Sequence, residues 1–241
     1  MFELSTNFIL ALTLSAVVSY LLGSCNSAII VVKLWKKVDV RDFGSKNAGL
    51  TNTLRCFGKG AALITLLGDL AKGVVAVLLS KLIFVLLDTG ISDVLGSEIL
   101  KSEITGVNNL RFIGYIAGFL AILGHIFPLY YGFKGGKGIL VSASILIVTD
   151  PLTFCIVIPF FALILALTKY VSVSSITAAI AYPIITFTTQ YFISDVPKNL
   201  ALLHTILVIG TSILLIYMHK SNIVRLKNHT ENKFSFKKKE G

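Results

Sequence analysis

Long apolar runs constrain this chain more than any other feature. Seven stretches are poor in charge: Asn7 to Val32, Ala61 to Leu87, Phe112 to Phe127, Gly138 to Val148, Leu152 to Leu167, Val171 to Ile193 and Asn199 to Met218. Most approach the roughly 20 residues that a helix needs to cross a hydrocarbon core. With 55% hydrophobic and 14% charged residues, the chain cannot present a polar surface on every side, and lipid must cover much of it. The expected fold is all-α: a polytopic transmembrane helix bundle of about seven spans. It forms one domain over residues 1–241, with no internal repeat and no low-complexity linker. The run from Gly138 to Val148 is short, and it crosses only if it is tilted, protected by neighbours or extended by polar turns. A six-span alternative makes it re-entrant.

Charge orients the bundle. With seven spans, every Lys and Arg except Lys81, Lys101, Arg111 and Lys198 lies on the side of the C-terminus. Glu3, Asp88, Asp93, Glu98, Glu103, Asp150 and Asp195 lie on the other side. The positive-inside rule then predicts the N-terminus outside and the C-terminus in the cytoplasm. The net charge of +10 reads as a topology signal and an attraction to anionic lipid heads, not as a nucleic-acid footprint. The run Lys237, Lys238, Lys239 belongs to the same signal. Leu22-Gly23-Ser24-Cys25 resembles a lipoprotein cleavage site, but the start carries Glu3 and no Lys or Arg, so no cleavage is expected. Cys25, Cys56 and Cys155 are far apart and follow no metal-ligand or redox spacing. No metal and no cofactor is expected.

Three polar segments share the cytoplasmic side: Lys33 to Gly60, Pro128 to Lys137 and His219 to Gly241. In the first, the run from Asp42 to Arg55 is rich in Ser, Asn, Thr and Gly, which predicts a turn-rich loop. A plain connector has no need for Asn47, Thr51, Asn52 and Arg55 together; that set hydrogen-bonds anions, and Arg55 can grip a phosphate bidentately. The second contains Gly132, Lys134, Gly135, Gly136, Lys137 and Gly138 just before an apolar run. Free glycine N–H groups at a helix start, with two lysines, make an anion site. The spacing is not that of a Walker A loop. In the third, His219, Asn222 and Arg225 share one face if the last helix continues, and Glu231 can pair with one of the cations. Asp69 and Lys72, three apart in the second span, are expected to form an ion pair.

Taken together, these segments resemble the small integral-membrane family of bacterial acyl-phosphate:glycerol-3-phosphate acyltransferases. The resemblance runs from Gly23-Ser24 to Lys233. Its first motif is matched by Ser45, Asn47, Gly49, Thr51, Asn52 and Arg55, and its second by Gly124, His125, Phe127, Pro128 and Phe133 to Gly138. The third is matched by His219, Asn222, Arg225, Leu226, Thr230, Glu231 and Lys233. The chain departs from the family at Asn26, where a proline is usual, and at His229, where a glycine is usual, so the tail loop is expected to turn differently. The resemblance implies transfer of an acyl group from acyl phosphate to the 1-hydroxyl of glycerol-3-phosphate, giving lysophosphatidic acid. It implies catalytic roles for Ser45, Arg55, Lys137, His219 and Asn222. Asn47, Thr51, Asn52, His125, Lys134, Gly135, Gly136, Gly138, Arg225 and Glu231 are implied in substrate and phosphate binding. The implied setting is a bacterial inner membrane with the site facing the cytoplasm, and no obligate protein partner is expected.

The residues suit that chemistry. An acyl phosphate is already activated, so the protein has to hold two phosphate-bearing substrates together and aim a hydroxyl at a carbonyl. Cations and N–H donors offset the repulsion and stabilise the departing phosphate. No residue has the setting of a covalent nucleophile. His219 is the first candidate base and His125 the second, with the phosphate of the acyl donor as a further proton acceptor. A transporter is the rival class, but it would place binding groups near the midplane between internal repeats.

Overall fold

The computed structural model describes residues 6–87 and 109–234, and among these the regular elements are all helical. Glu3, Asp88, Asp93, Glu98, Lys101, Glu103 and Lys237 to Lys239 lie outside the described residues. Among the described residues, six helical stretches are long and apolar enough to cross a membrane, and a seventh apolar helix, Ile139–Thr149, is shorter.

The first apolar run is not one helix, as its composition suggests, but two: α1 (Thr6–Ser24) and α2 (Ser27–Lys36). Asn26 causes the break. Its Oδ1 accepts the Ile29 N–H at 3.1 Å, the N-cap arrangement that starts a new helix, and its Nδ2 donates to the Ala48 carbonyl at 3.3 Å. One buried side chain thus ends α1, starts α2 and ties both to the loop that carries Ser45 and Asn47.

The next helix, α3 (Leu50–Leu86), starts earlier than the turn-rich reading of Asp42 to Arg55 predicts. Only the part before Leu50 is loop. Gly58 breaks the helical path with φ 85°, a value that favours glycine, and separates two opening turns from the membrane-crossing remainder. Phe57 faces a core of Ala28, Ile29, Val32, Val40 and Ala48.

Beyond residue 108 come α4 (Asn109–Ile126), α5 (Ile139–Thr149), α6 (Pro151–Thr168), α7 (Val171–Thr188), α8 (Lys198–Met218) and α9 (Lys220–Lys227). α1 packs on α3 and α4, and α7 packs between α6 and α8. Small residues permit the α1 contact: a Cβ on Gly23 would overlap the backbone of Ala121, and one on Gly124 would overlap the Tyr20 carbonyl. The short α5 survives at membrane depth because α3, α4 and α6 surround it. Lys81 donates to the Val148 carbonyl at 3.1 Å, and Asp150 caps α6 by accepting the Thr153 N–H at 3.2 Å.

A polar network fixes the half of the bundle that contains Asp150. The Asp150 carboxylate accepts from Tyr115 Oη at 3.1 Å and from Gln190 Nε2 at 2.7 Å, and His204 Nδ1 donates to Gln190 Oε1 at 2.8 Å. Gln190 sits in a π turn, Thr189–Ile193, whose extra residue rotates it inward. Intramembrane polar groups want such partners.

Candidate active site

At the other end of the bundle, a cavity of about 310 Å³ lies among the three polar segments. Ser45, Asn47, Thr51 and Arg55 reach it from the first, Lys137 and Gly138 from the second, and His219, Asn222, Arg225 and Glu231 from the third. The cavity continues between α5, α6 and α7 along Leu146, Val157, Phe161 and Ala178.

One hydrogen-bond chain organises the polar end. Lys137 Nζ donates to Asn222 Oδ1, and Asn222 Nδ2 donates to Glu231 Oε1 at 2.8 Å. Arg225 Nε donates to Glu231 Oε2 at 2.6 Å, and Ser172 Oγ donates to Oε1 at 3.1 Å. Burial works to raise the Glu231 pKa, but the Asn222 and Arg225 hydrogen bonds outweigh it and hold the carboxyl below its ordinary value. Burial, reinforced by the nearby Arg225 and Arg55, pulls Lys137 down to about 8. The helical spacing of His219, Asn222 and Arg225 is realised across the junction of α8 and α9. His229 adopts φ 57°, the left-handed conformation that favours glycine, and Glu231 reaches the cavity.

His219 is buried, with Nδ1 2.8 Å from the Leu215 carbonyl. A carbonyl only accepts, so Nδ1 carries the hydrogen and Nε2 keeps its lone pair. Burial pulls the imidazole down to about 4 against the opposing effect of the Leu215 carbonyl. His219 is thus a neutral acceptor at physiological pH.

Arg55 projects from the short opening segment of α3 that Gly58 redirects. Asn52 beside it is committed elsewhere: Nδ2 donates to the carbonyls of Val40 and Phe43, and Oδ1 accepts the Ser45 N–H at 2.9 Å. Asn52 also lines the cavity, and through these bonds it shapes the loop that presents Ser45.

The glycine loop differs from its reading as a cradle of free N–H groups. The Gly135 and Gly136 N–H groups donate to the carbonyls of Ile126 and His125. A Cβ on Gly136 would overlap His125 Nε2 and crowd the Ala48 carbonyl, so glycine is needed there for packing. Lys134 is exposed, outside the cavity wall, and its carbonyl accepts Arg41 Nη1 at 3.0 Å. Gly138, with φ 85°, turns the chain into α5, and Gly138, Ile139 and Leu140 line the cavity at that helix's start.

The Asp69 and Lys72 ion pair is present at 2.8 Å, and His125 joins it. Lys72 Nζ lies 2.8 Å from His125 Nδ1 and 3.1 Å from the Cys25 carbonyl. An ammonium only donates, so His125 accepts at Nδ1 and holds its hydrogen on Nε2. His125 is therefore a poor candidate base, and its ring buttresses the glycine loop. Ser172, which the sequence did not single out, belongs to the site through Glu231.

Lipid-length helices around a cationic chamber that opens onto an apolar groove define an integral membrane protein suited to an anionic, lipid-linked ligand. Residues 13–229 match the glycerol-3-phosphate acyltransferase family, and the chain belongs to that family. It is 38% identical over 237 residues to a glycerol-3-phosphate acyltransferase of Chlorobaculum tepidum, covering 92% of this chain and 96% of that protein. It is 37% identical over 223 residues to one of Clostridioides difficile, with 92% and 95% covered. A crystal structure of PlsY (YgiH), an integral membrane glycerol 3-phosphate acyltransferase in its glycerol 3-phosphate form, has a TM-score of 0.70 at 28% identity. That likeness covers 93% of this chain and 96% of PlsY. The lysophosphatidic acid form gives a TM-score of 0.67.

Proposed function

We propose that this chain, as one integral-membrane domain over residues 1–241, transfers an acyl group from acyl phosphate to the 1-hydroxyl of glycerol-3-phosphate. The products are lysophosphatidic acid and phosphate. The reaction takes place at the cytoplasmic face of a bacterial inner membrane, with the N-terminus outside and the C-terminus inside. The positive charge around the site favours that orientation. One observation carries the reading: a single cavity joins Arg55, Lys137 and Arg225 to an apolar groove, so phosphate groups and a fatty tail fit side by side.

The roles follow from the geometry. The Arg55 side chain makes no hydrogen bond to the described residues and lines the cavity, which leaves its guanidinium for a substrate phosphate. Lys137, held by Asn222, neutralises charge on the departing phosphate. Ser45, Asn47 and Thr51 hydrogen-bond the glycerol-3-phosphate, and Arg225 sets Glu231, which in turn sets Asn222. The substrate hydroxyl donates to His219 Nε2, and its oxygen attacks the acyl carbonyl carbon. The bond from that carbon to the phosphate oxygen breaks, and the bonding pair leaves with the phosphate. The hydroxyl proton passes to His219 Nε2 as the oxygen attacks and from there to the departing phosphate, which leaves as hydrogen phosphate.

The test is purified protein given glycerol-3-phosphate with palmitoyl phosphate, palmitoyl-CoA or palmitoyl acyl-carrier protein in parallel. Lysophosphatidic acid is expected from palmitoyl phosphate; product from a thioester donor alone overturns the donor assignment.

A further inference from the structure

We infer that Tyr182 is the stop of the acyl groove and sets the length of chain that the enzyme accepts. This rests on the acyl-transfer reading and adds the determinant of its specificity. The groove runs down α7 along small residues: Ser172 and Ser175, then Ala178 and Ala179, all facing the cavity, followed by the large ring of Tyr182. Ser172 marks the polar end, because its hydroxyl donates to Glu231 at 3.1 Å. Ten residues of helix separate Ser172 from Tyr182, about 15 Å, which an extended chain of about a dozen methylenes fills. The small side chains provide the room, and the tyrosine ends it.

The stop is rigid. Tyr182 is buried in a cluster with Leu146, Val157, Tyr115 and Val208, of which Leu146 and Val157 also line the groove. Tyr115 is in turn fixed by its hydrogen bond to Asp150 at 3.1 Å and by Gln190 Nε2 at 3.0 Å. A chain reaching Tyr182 meets packed side chains anchored by a polar network, not a yielding surface. The occupant is an acyl tail: the groove is lined mainly by apolar side chains and is continuous with the cationic chamber that would hold the tail's phosphate.

The experiment measures kcat/KM for saturated acyl phosphates from octanoyl to stearoyl, at saturating glycerol-3-phosphate, in wild type and two variants. In wild type, efficiency rises with chain length, levels off between dodecanoyl and palmitoyl, and falls for stearoyl. Tyr182→Ala opens the stop and raises the stearoyl-to-dodecanoyl ratio on the order of tenfold. Ala178→Leu fills the groove one turn earlier and moves the plateau down by about four carbons, the length of one turn of about 5.4 Å. The same profile in wild type and variants, or a wild-type profile that climbs without levelling, overturns the stop. If Tyr182→Ala does not fold, Ala178→Leu decides alone. If no acyl phosphate is turned over, the donor assignment fails, and the same series with acyl-CoA donors tests the groove.

Discussion

At the scale of the residue, the site depends on which polar groups are already engaged. Arg225 has its Nε on Glu231, whereas the Arg55 guanidinium has no hydrogen bond to the described residues. Arg55→Lys keeps the charge but loses the paired donors, so kcat/KM should fall roughly ten- to hundredfold, nearly as far as in Arg55→Ala, at normal purified yield. Near wild-type efficiency would leave Arg55 with a topological role only. Lys137 gives a pH signature. Its pKa in the free protein is lowered to about 8, so the ammonium is present below that pH and lost above it. The profile of kcat/KM should fall through about pH 8, and Lys137→Arg, which stays charged, should lose that alkaline limb while retaining measurable activity. Much at this scale is legible in the sequence: Asn222 and Arg225 sit three and six residues after His219 on adjoining helices. Ser172 is not, because it lies in an apolar run, 59 residues from the Glu231 that it bonds. Nor could composition reveal that Gly135 and Gly136 turn their N–H groups onto Ile126 and His125, since that pairing depends on how the loop folds back on α4.

At the scale of the element, hydropathy locates the apolar helices but misses their interruptions. A period of apolar residues carries no mark where one helix ends and another begins within it, and the break at Asn26 comes from a single side chain capping α2. Asn26→Ala removes that cap and the bond to Ala48, and should destabilise the protein by about 1 to 2 kcal/mol. Thermal unfolding in detergent measures this, and an unchanged Tm would mean that the break does not depend on the cap. The turn-forming composition of Asp42 to Arg55 conceals the opening of α3 in a similar way. Thr51 and Asn52 have modest helix propensity, yet Gly49 in extended form starts the helix and packing of the half-buried Phe57 holds it. Gly58 then lets the chain change direction. Gly58→Ala meets no steric obstacle but strains a backbone at φ 85°, and the Michaelis constant for glycerol-3-phosphate should rise as Arg55 shifts.

At the scale of the whole molecule, two different requirements meet in one cavity. A water-soluble phosphate ester has to reach a cationic chamber, while a fatty chain has to leave the bilayer, and one cavity serves both by joining the chamber to the groove between α5, α6 and α7. Composition made the membrane bundle readable, and three motifs in order made the chamber readable. The groove was not, because its wall is made of the same Ala, Leu, Val and Phe that face lipid elsewhere. Direct transfer within one cavity requires both substrates to be present together, with no acyl-enzyme between them. The most direct measurement is phosphate release from palmitoyl phosphate by detergent-purified protein, with and without glycerol-3-phosphate, against lysophosphatidic acid formed. The expected result is no phosphate burst without glycerol-3-phosphate and equimolar products with it. A burst equal to the enzyme concentration before glycerol-3-phosphate is added would contradict direct transfer.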